Sequence, residues 1–449
     1  MLLGYHQEMT TTKVRTVPSN FLRPQTAAVI AVVRMWFAWY LALFLAGHLL
    51  SPALAAPPQA ETPSCAAPPA CTKFVSDYRA AGDGRTDDTA ALRQAIGSLM
   101  PGDVLCFERN GIYVISDGLQ IFGGRANNWI LQGHGATLKM ADHAPSDTSR
   151  FILRVRESQG WSLHNLFFDG NRETRFIGPT SRENLSIRGS RDFAVCNVRS
   201  VNSVKDGFYV YGTAESDPET FSTNGLFQNC GADNSYRNGM TIVNGRELRI
   251  VGGLFSKSNG AMPEAGIDIE PNEDSFEPGV DQVWIHRASF IGNVGYGLQL
   301  SSRAKPTRIT VDGNYFSDNV RGGIFVGASD SSITNNLLHG FQDPGERGTI
   351  NLRLFDGTRN TIISGNTLQN IYTGKAVIWV SSGQANGHRI VDNCIASFDG
   401  PEAIETPEGN GLFISGNVVN PPQGCPNPLA IGVRDVRSLR NRRGASVTQ

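Results

Sequence analysis

Charge of one sign is missing from this chain: 40 Lys and Arg stand against 41 Asp and Glu in 449 residues, a formal net charge of -1. That balance gives no basic stripe for a nucleic-acid backbone and argues against such a partner. Helical patterning is scarce too, because past residue 97 the apolar residues recur at intervals of two rather than 3.6. With 49 glycines that follow no collagen-like period and 9% aromatics, the composition suits a turn-rich all-β protein. Histidines are few, and His286 and His339 lack a companion ligand set, so spacing supports no metal site.

Long hydrophobic runs are also lacking, with one exception. Residues 35–50, "MWFAWYLALFLAGHLL", follow Arg34 and lead into Ala53, Leu54 and Ala55, a small-residue cleavage pattern. The expected organisation is a leader and signal peptide at 1–55, an Ala/Pro-rich linker at 56–72, a folded domain at 73–425 and a basic, disordered tail at 426–449. The mature protein is then secreted or periplasmic, and a membrane is touched only through an uncleaved leader. Export implies an oxidising compartment for the seven cysteines. Cys394 with Cys425, and Cys71 with either Cys106 or Cys65, are the expected staples, while Cys196 and Cys230 read as small buried residues.

What is abundant is repetition. Short strands recur as "GFYVY" at Gly207, "GMTIV" at Gly239, "GIDIE" at Gly266, "GLQLS" at Gly297, "GIFVG" at Gly323, "TINLR" at Thr349, "AVIWV" at Ala376 and "AIETP" at Ala403. A second series, including "GNYFSDN", "GNTLQN" and "GNVVN", falls between them. Units with several strands and no helix bury their apolar faces by stacking. The alignment puts Phe208, Met240, Ile267, Leu298, Ile324, Ile350, Val377 and Ile404 in one inward column, and Val210, Ile242, Ile269, Leu300, Val326, Leu352, Trp379 and Thr406 in another. Alternate residues face out. The predicted fold is therefore an all-β, single-stranded parallel β-helix (solenoid), with one short N-terminal capping helix between about residues 86 and 97, Thr86 being its N-cap.

The stretch "AAGDGRTDDTAALRQAI", with the later "GDVLCF", "GIYVI" and "LQGHGATL", resembles the opening of right-handed parallel β-helix proteins of the pectate lyase superfamily, over about residues 74–424. The resemblance implies a right-handed coil and a carbohydrate substrate, with a homotrimer possible as in some relatives. The polygalacturonase series of N-T-D, D-D, G-H-G and R-I-K is not present in order, and the D-P-H-D-type motif of alginate epimerases is replaced by "DIEPNED".

On the outward face, Asp268 and Glu270 lie two apart on one strand and are the candidate catalytic pair. Lys205, Tyr209, Tyr211, Tyr236, Arg237 and Gln299 surround them in the aligned units as candidate substrate-binding residues. Aromatic faces stack on sugar rings, cations pair with uronate or sulfate groups, and carboxylates do acid/base work. The first expectation is a glycoside hydrolase acting on an acidic polysaccharide. A lyase or uronate epimerase, using the Lys, Arg and Tyr residues and, if a lyase, calcium held by the acids, comes second, and a non-catalytic polysaccharide-binding scaffold third; the hydrolase needs no cofactor. Two long loops, 212–222 and 271–281, are expected to wall the groove.

Overall fold

The structure is a computed structural model that describes residues 63–429, apart from 145–150, 176, 179, 341–349, 353–357, 372–375, 381–386, 399–401 and 406–410. The leader, the signal segment and nearly all of the basic tail lie outside the described residues. Each coil contributes one strand to each of three parallel sheets, as with Arg191–Cys196, Arg199–Val201 and Phe208–Tyr211. The described strands form two sheets of thirteen and one of eleven, and every pairing is parallel. No helix among the described residues is long and apolar enough to cross a membrane.

The inward columns hold from Phe208 and Val210 through Ile324 and Val326, while Thr406 lies outside the described residues. Met240 pairs with Ile267 and Ile267 with Leu298, all fully buried. The glycine at each register position has a steric reason. A Cβ on Gly207, Gly239 or Gly266 would meet the carbonyl oxygen of the next register glycine at 2.5, 2.5 or 2.6 Å. Such an approach excludes any side chain. The unit at 376 corrects the alignment by one residue: Ile350 pairs with Ile378 and Leu352 with Val380, so Ile378 and Val380 occupy the inward columns and Trp379 faces out. In "AVIWV" every residue is apolar, and alternation cannot choose the phase.

Two further columns fill the interior. Trp129, Trp161 and Phe193 stack with ring centroids 5.3 and 5.0 Å apart, and Phe255, Phe290 and Phe316 at 5.7 and 4.6 Å. At the turn between the two larger sheets, Asn314, Asn336, Asn366, Asn393 and Asn417 form a ladder in which each Nδ2 donates to the next Oδ1 at 2.9–3.0 Å. The same amide nitrogens donate to buried carbonyls such as Val311 O and Ile333 O. Every rung is thereby satisfied by its neighbours.

The capping helix spans Thr89–Gly97 and starts later than the sequence suggests. Thr86 lies instead in the strand Asp83–Asp87 and bonds Asp83, while the Asp88 carboxylate folds back onto the amides of Ala81 and Gly82. Short 3₁₀ turns at Val75–Tyr78 and Pro218–Thr220 are additional. Cys71–Cys106 and Cys394–Cys425 are disulfides, and Cys230 is free and buried, as expected. Cys196 differs: it is bonded to Cys65, 131 residues away. The stretch from Cys65 to Cys71, within the segment read as linker, is thus stapled at both ends. It crosses the outer face of the sheet in which Cys106, Gln132, His164 and Cys196 are successive neighbours.

Candidate functional site

The outer face of the eleven-stranded sheet carries the candidate residues in two columns. One runs Arg154, Ser186, Tyr209, Thr241, Asp268, Gln299. The other includes Arg156, Arg188 and Tyr211, with Glu270 at the strand end two rungs on. Facing outward does not mean being wet. Thr241 and Asp268 have no exposed surface at all, whereas the side chain of Glu270 keeps 23%.

The surroundings of Asp268 explain how a carboxyl survives there. Gln299 Nε2 donates to its Oδ1 at 3.1 Å and Asn238 Nδ2 to its Oδ2 at 3.2 Å. Burial raises its pKa well above the usual carboxylate range; the neighbouring Glu270, by its charge and by a hydrogen bond between the two carboxyls, adds to the rise, and Arg237 only partly opposes it. Glu270 lies between two guanidinium groups, Arg237 Nη2 at 3.5 Å and Arg303 Nη1 at 3.8 Å.

Arg237 is the hub. Its Nε donates to Asp206 Oδ1 at 2.9 Å and its Nη2 to Thr241 Oγ1 at 3.2 Å. Burial works against its charge, but Asp206 and Glu270 outweigh this and push its pKa up. Asp206 is wholly buried and also accepts from the Asn238 amide at 3.0 Å, while its Oδ2 has no hydrogen-bond partner. Such an orphaned oxygen costs stability and marks a place not arranged for stability alone.

The remaining candidates divide. Lys205 Nζ sits 5.6 Å from the Tyr209 ring centre, and the Tyr209 and Tyr211 rings are 5.1 Å apart. Burial, then the charge of Asp206, raises the Tyr209 pKa, so its phenol stays neutral. Tyr236 is placed otherwise: its ring lies under Arg172 and against Gly260, with no contact to the acid pair. Gln299 is engaged with Asp268. The two long loops do meet, through Phe276 N to Glu215 O at 2.8 Å and Asn272 to Glu215 at 2.8 Å, with the Arg246 guanidinium 5.3 and 6.0 Å from the Phe221 and Phe276 rings. Arg303 joins this wall to Glu270 through Glu273 at 3.4 Å.

Sequence reasoning missed Asp206, Asn238, Arg188 and Arg303. The first two were within reach, since each immediately precedes a register glycine and the alignment stacks them in one column. Among the described residues the only cluster of three possible metal ligands is Cys71, Cys106 and His134, and its cysteines are joined as a disulfide.

No protein-family model matches the chain. Among solved structures it is similar to a mannuronan C-5 epimerase A-module from Azotobacter vinelandii, with 21% identity and a TM-score of 0.56 over 78% of this chain and 100% of that one. The likeness shows the fold, a right-handed parallel β-helix. A second β-helix, the catalytic unit of an α-1,3-glucanase from Streptomyces thermodiastaticus, matches with 17% identity and a TM-score of 0.51 over 78% of this chain and 69% of that one. By sequence, the β-helix is 27% identical over 146 residues to a pre-neck appendage protein of Bacillus phage B103, a match spanning 30% of this chain and 16% of the relative. At these identities the solved structures speak for the fold, and the site must be read from its own chemistry.

Proposed function

We propose that this β-helix is an exported carbohydrate-active protein that cleaves glycosidic bonds of an acidic polysaccharide, with Glu270 as the catalytic carboxyl and Asp268 as the positioning residue that holds the pair's proton. The observation that carries the reading is the adjacent Asp268/Glu270 pair, one member fully buried with its pKa raised by that burial, the other reaching solvent between Arg237 and Arg303. Such a pair delivers a proton near neutral pH, where an isolated carboxyl has already lost it. The substrate's leaving oxygen takes the proton from Glu270 as the bond to the anomeric carbon breaks. Water adds to that carbon and its proton returns to the pair. The named activities of the epimerase and the glucanase support a sugar polymer as ligand, and the three disulfides support export.

One observation favours β-elimination or epimerisation of a uronate as a second reading. The two carboxyls touch, whereas hydrolysis with a carboxyl on either side of the bond takes a separation of about 5 Å or more. In that case Arg237 and Arg303 neutralise the uronate carboxylate, and Lys205 and Tyr209 exchange the carbon-bound proton. Product analysis on a panel of acidic and neutral polysaccharides tests both. Saturated reducing ends, lost in Glu270→Gln, agree with hydrolysis; ultraviolet-absorbing unsaturated ends mean elimination. Binding of several polymers without turnover would leave a scaffold and refute the proposal.

A further inference from the structure

Two rungs before the acid pair, Lys205, Tyr209 and Tyr211 lie along one strand and the turn before it, and Arg188 adjoins them from one rung further on. Lys205 Nζ is 5.6 Å from the Tyr209 ring, Tyr209 is 5.1 Å from Tyr211, and the Arg188 guanidinium is 5.3 Å from the Tyr211 ring. Lys205 lies in the turn before the strand Phe208–Tyr211, and Arg188 closes the preceding strand Leu185–Arg188, so the cations stand at opposite margins of the face. Neither has a carboxylate partner among the described residues. Arg188 Nη2 donates to the carbonyl of Thr213, in the first wall loop, and its Nε is buried without a partner. Arg156, by contrast, is paired with Glu157, Arg237 with Asp206 and Glu270, and Arg303 with Glu270 and Glu273.

We propose that Lys205, Tyr209, Tyr211 and Arg188 form a charge-reading subsite that fixes which sugar of an anionic chain lies two units from the bond attacked. This rests on the reading of the acid pair given above. Two rungs at about 4.8 Å place the tyrosines roughly 10 Å from Glu270 along the solenoid axis, with Arg188 one rung beyond them. A sugar ring there rests on the tyrosine faces, and its carboxylate or sulfate reaches one of the two unpaired cations at the margins. A cation held over an aromatic ring keeps its N–H edge free for an anion, and Arg188 offers a fork suited to a planar carboxylate. Beyond Glu270 the same columns carry Gln299 and Ser301, so charge recognition lies on the amino-terminal side of the cleaved bond.

The test uses the full-length secreted protein with polygalacturonate, alginate, heparin and a neutral glucan as probes, in wild type, Lys205→Met, Arg188→Gln and Arg188→Lys. Lys205→Met retains the apolar stem against Tyr209, and Arg188→Lys retains the charge but not the fork. On the acidic polymer that wild type turns over, Arg188→Gln and Lys205→Met each raise KM about ten-fold, the loss of one charge-assisted contact, with kcat falling less than KM rises. Both flatten the salt dependence of KM, and Arg188→Lys recovers part of the loss. The product pattern on a chain of mixed charged and neutral sugars also broadens. If wild type turns over an acidic polymer and these variants leave KM, salt dependence and product pattern unchanged while melting normally, the subsite is wrong and the acid-pair reading stands. If wild type turns over only the neutral glucan, or nothing, both are overturned.

Discussion

Two polar stacks run along this solenoid, and they treat their hydrogen bonds in opposite ways. In the asparagine ladder from Asn314 to Asn417 each amide is both donor and acceptor, and every rung meets the needs of the next. On the outer face of the eleven-stranded sheet, Asp206, Asp268 and Glu270 crowd three carboxyls around one guanidinium, with one oxygen of Asp206 left unbonded. The ladder is what stacking identical side chains achieves when stability alone is served. The acid stack leaves one oxygen unbonded and, by burying Asp268, raises the pKa of that carboxyl.

Removing a partner should therefore act differently in the two stacks. Asn366→Ala should have the largest effect on stability. It removes the oxygen that accepts from both Asn336 N and Asn336 Nδ2, and the side-chain donor to Ile333 O and Asn393 Oδ1, so a loss of about 2–5 kcal/mol is expected. Chemical denaturation would measure it, and turnover by the folded fraction should be unchanged. Next, Glu270→Gln should lower turnover by about 100-fold or more while the melting temperature barely moves.

Asp268→Asn sharpens the contrast further, because its sign depends on pH. The raised pKa of Asp268 in the folded chain means that the folded state binds the proton more tightly than the unfolded state. That stabilisation is fully present below the ordinary carboxylate range near pH 3.8 and is lost as pH rises through the raised value. The amide cannot titrate, so the variant should lack this decline and overtake wild type at the alkaline end. Unfolding curves at several pH values would show it, and the alkaline limb of the activity profile, where the pair loses its proton, should move with the same substitution. The smallest effect is expected from Arg303→Ala: its side chain is 52% exposed, and screened pairs of this kind contribute about 0–1 kcal/mol.

The scaffold was largely legible in the sequence because a coil is a repeated constraint. Each register glycine, from Gly207 to Gly297, faces the same close carbonyl, and each inward column has the same neighbours above and below, so eight units report on one phase. Legibility failed where the constraint was silent. In "AVIWV" both faces are apolar and the phase of Trp379 was lost. The Cys65–Cys196 bond joins residues far apart along the chain and has no local signal. The acid pair itself was visible through its i, i+2 spacing. Its asymmetry was not, because burial of Asp268 depends on Asn238, Gln299 and Arg237 converging from neighbouring coils and turns.

The central claim is that the Asp268/Glu270 pair keeps a proton under conditions where surface carboxyls are ionised. Infrared spectroscopy of the folded protein at neutral pH tests it most directly, through the absorption of a protonated carboxyl. The account predicts a protonated-carboxyl band in wild type that disappears in Asp268→Asn and shifts in Glu270→Gln. A spectrum with no such band, or one that Asp268→Asn leaves unchanged, would contradict it.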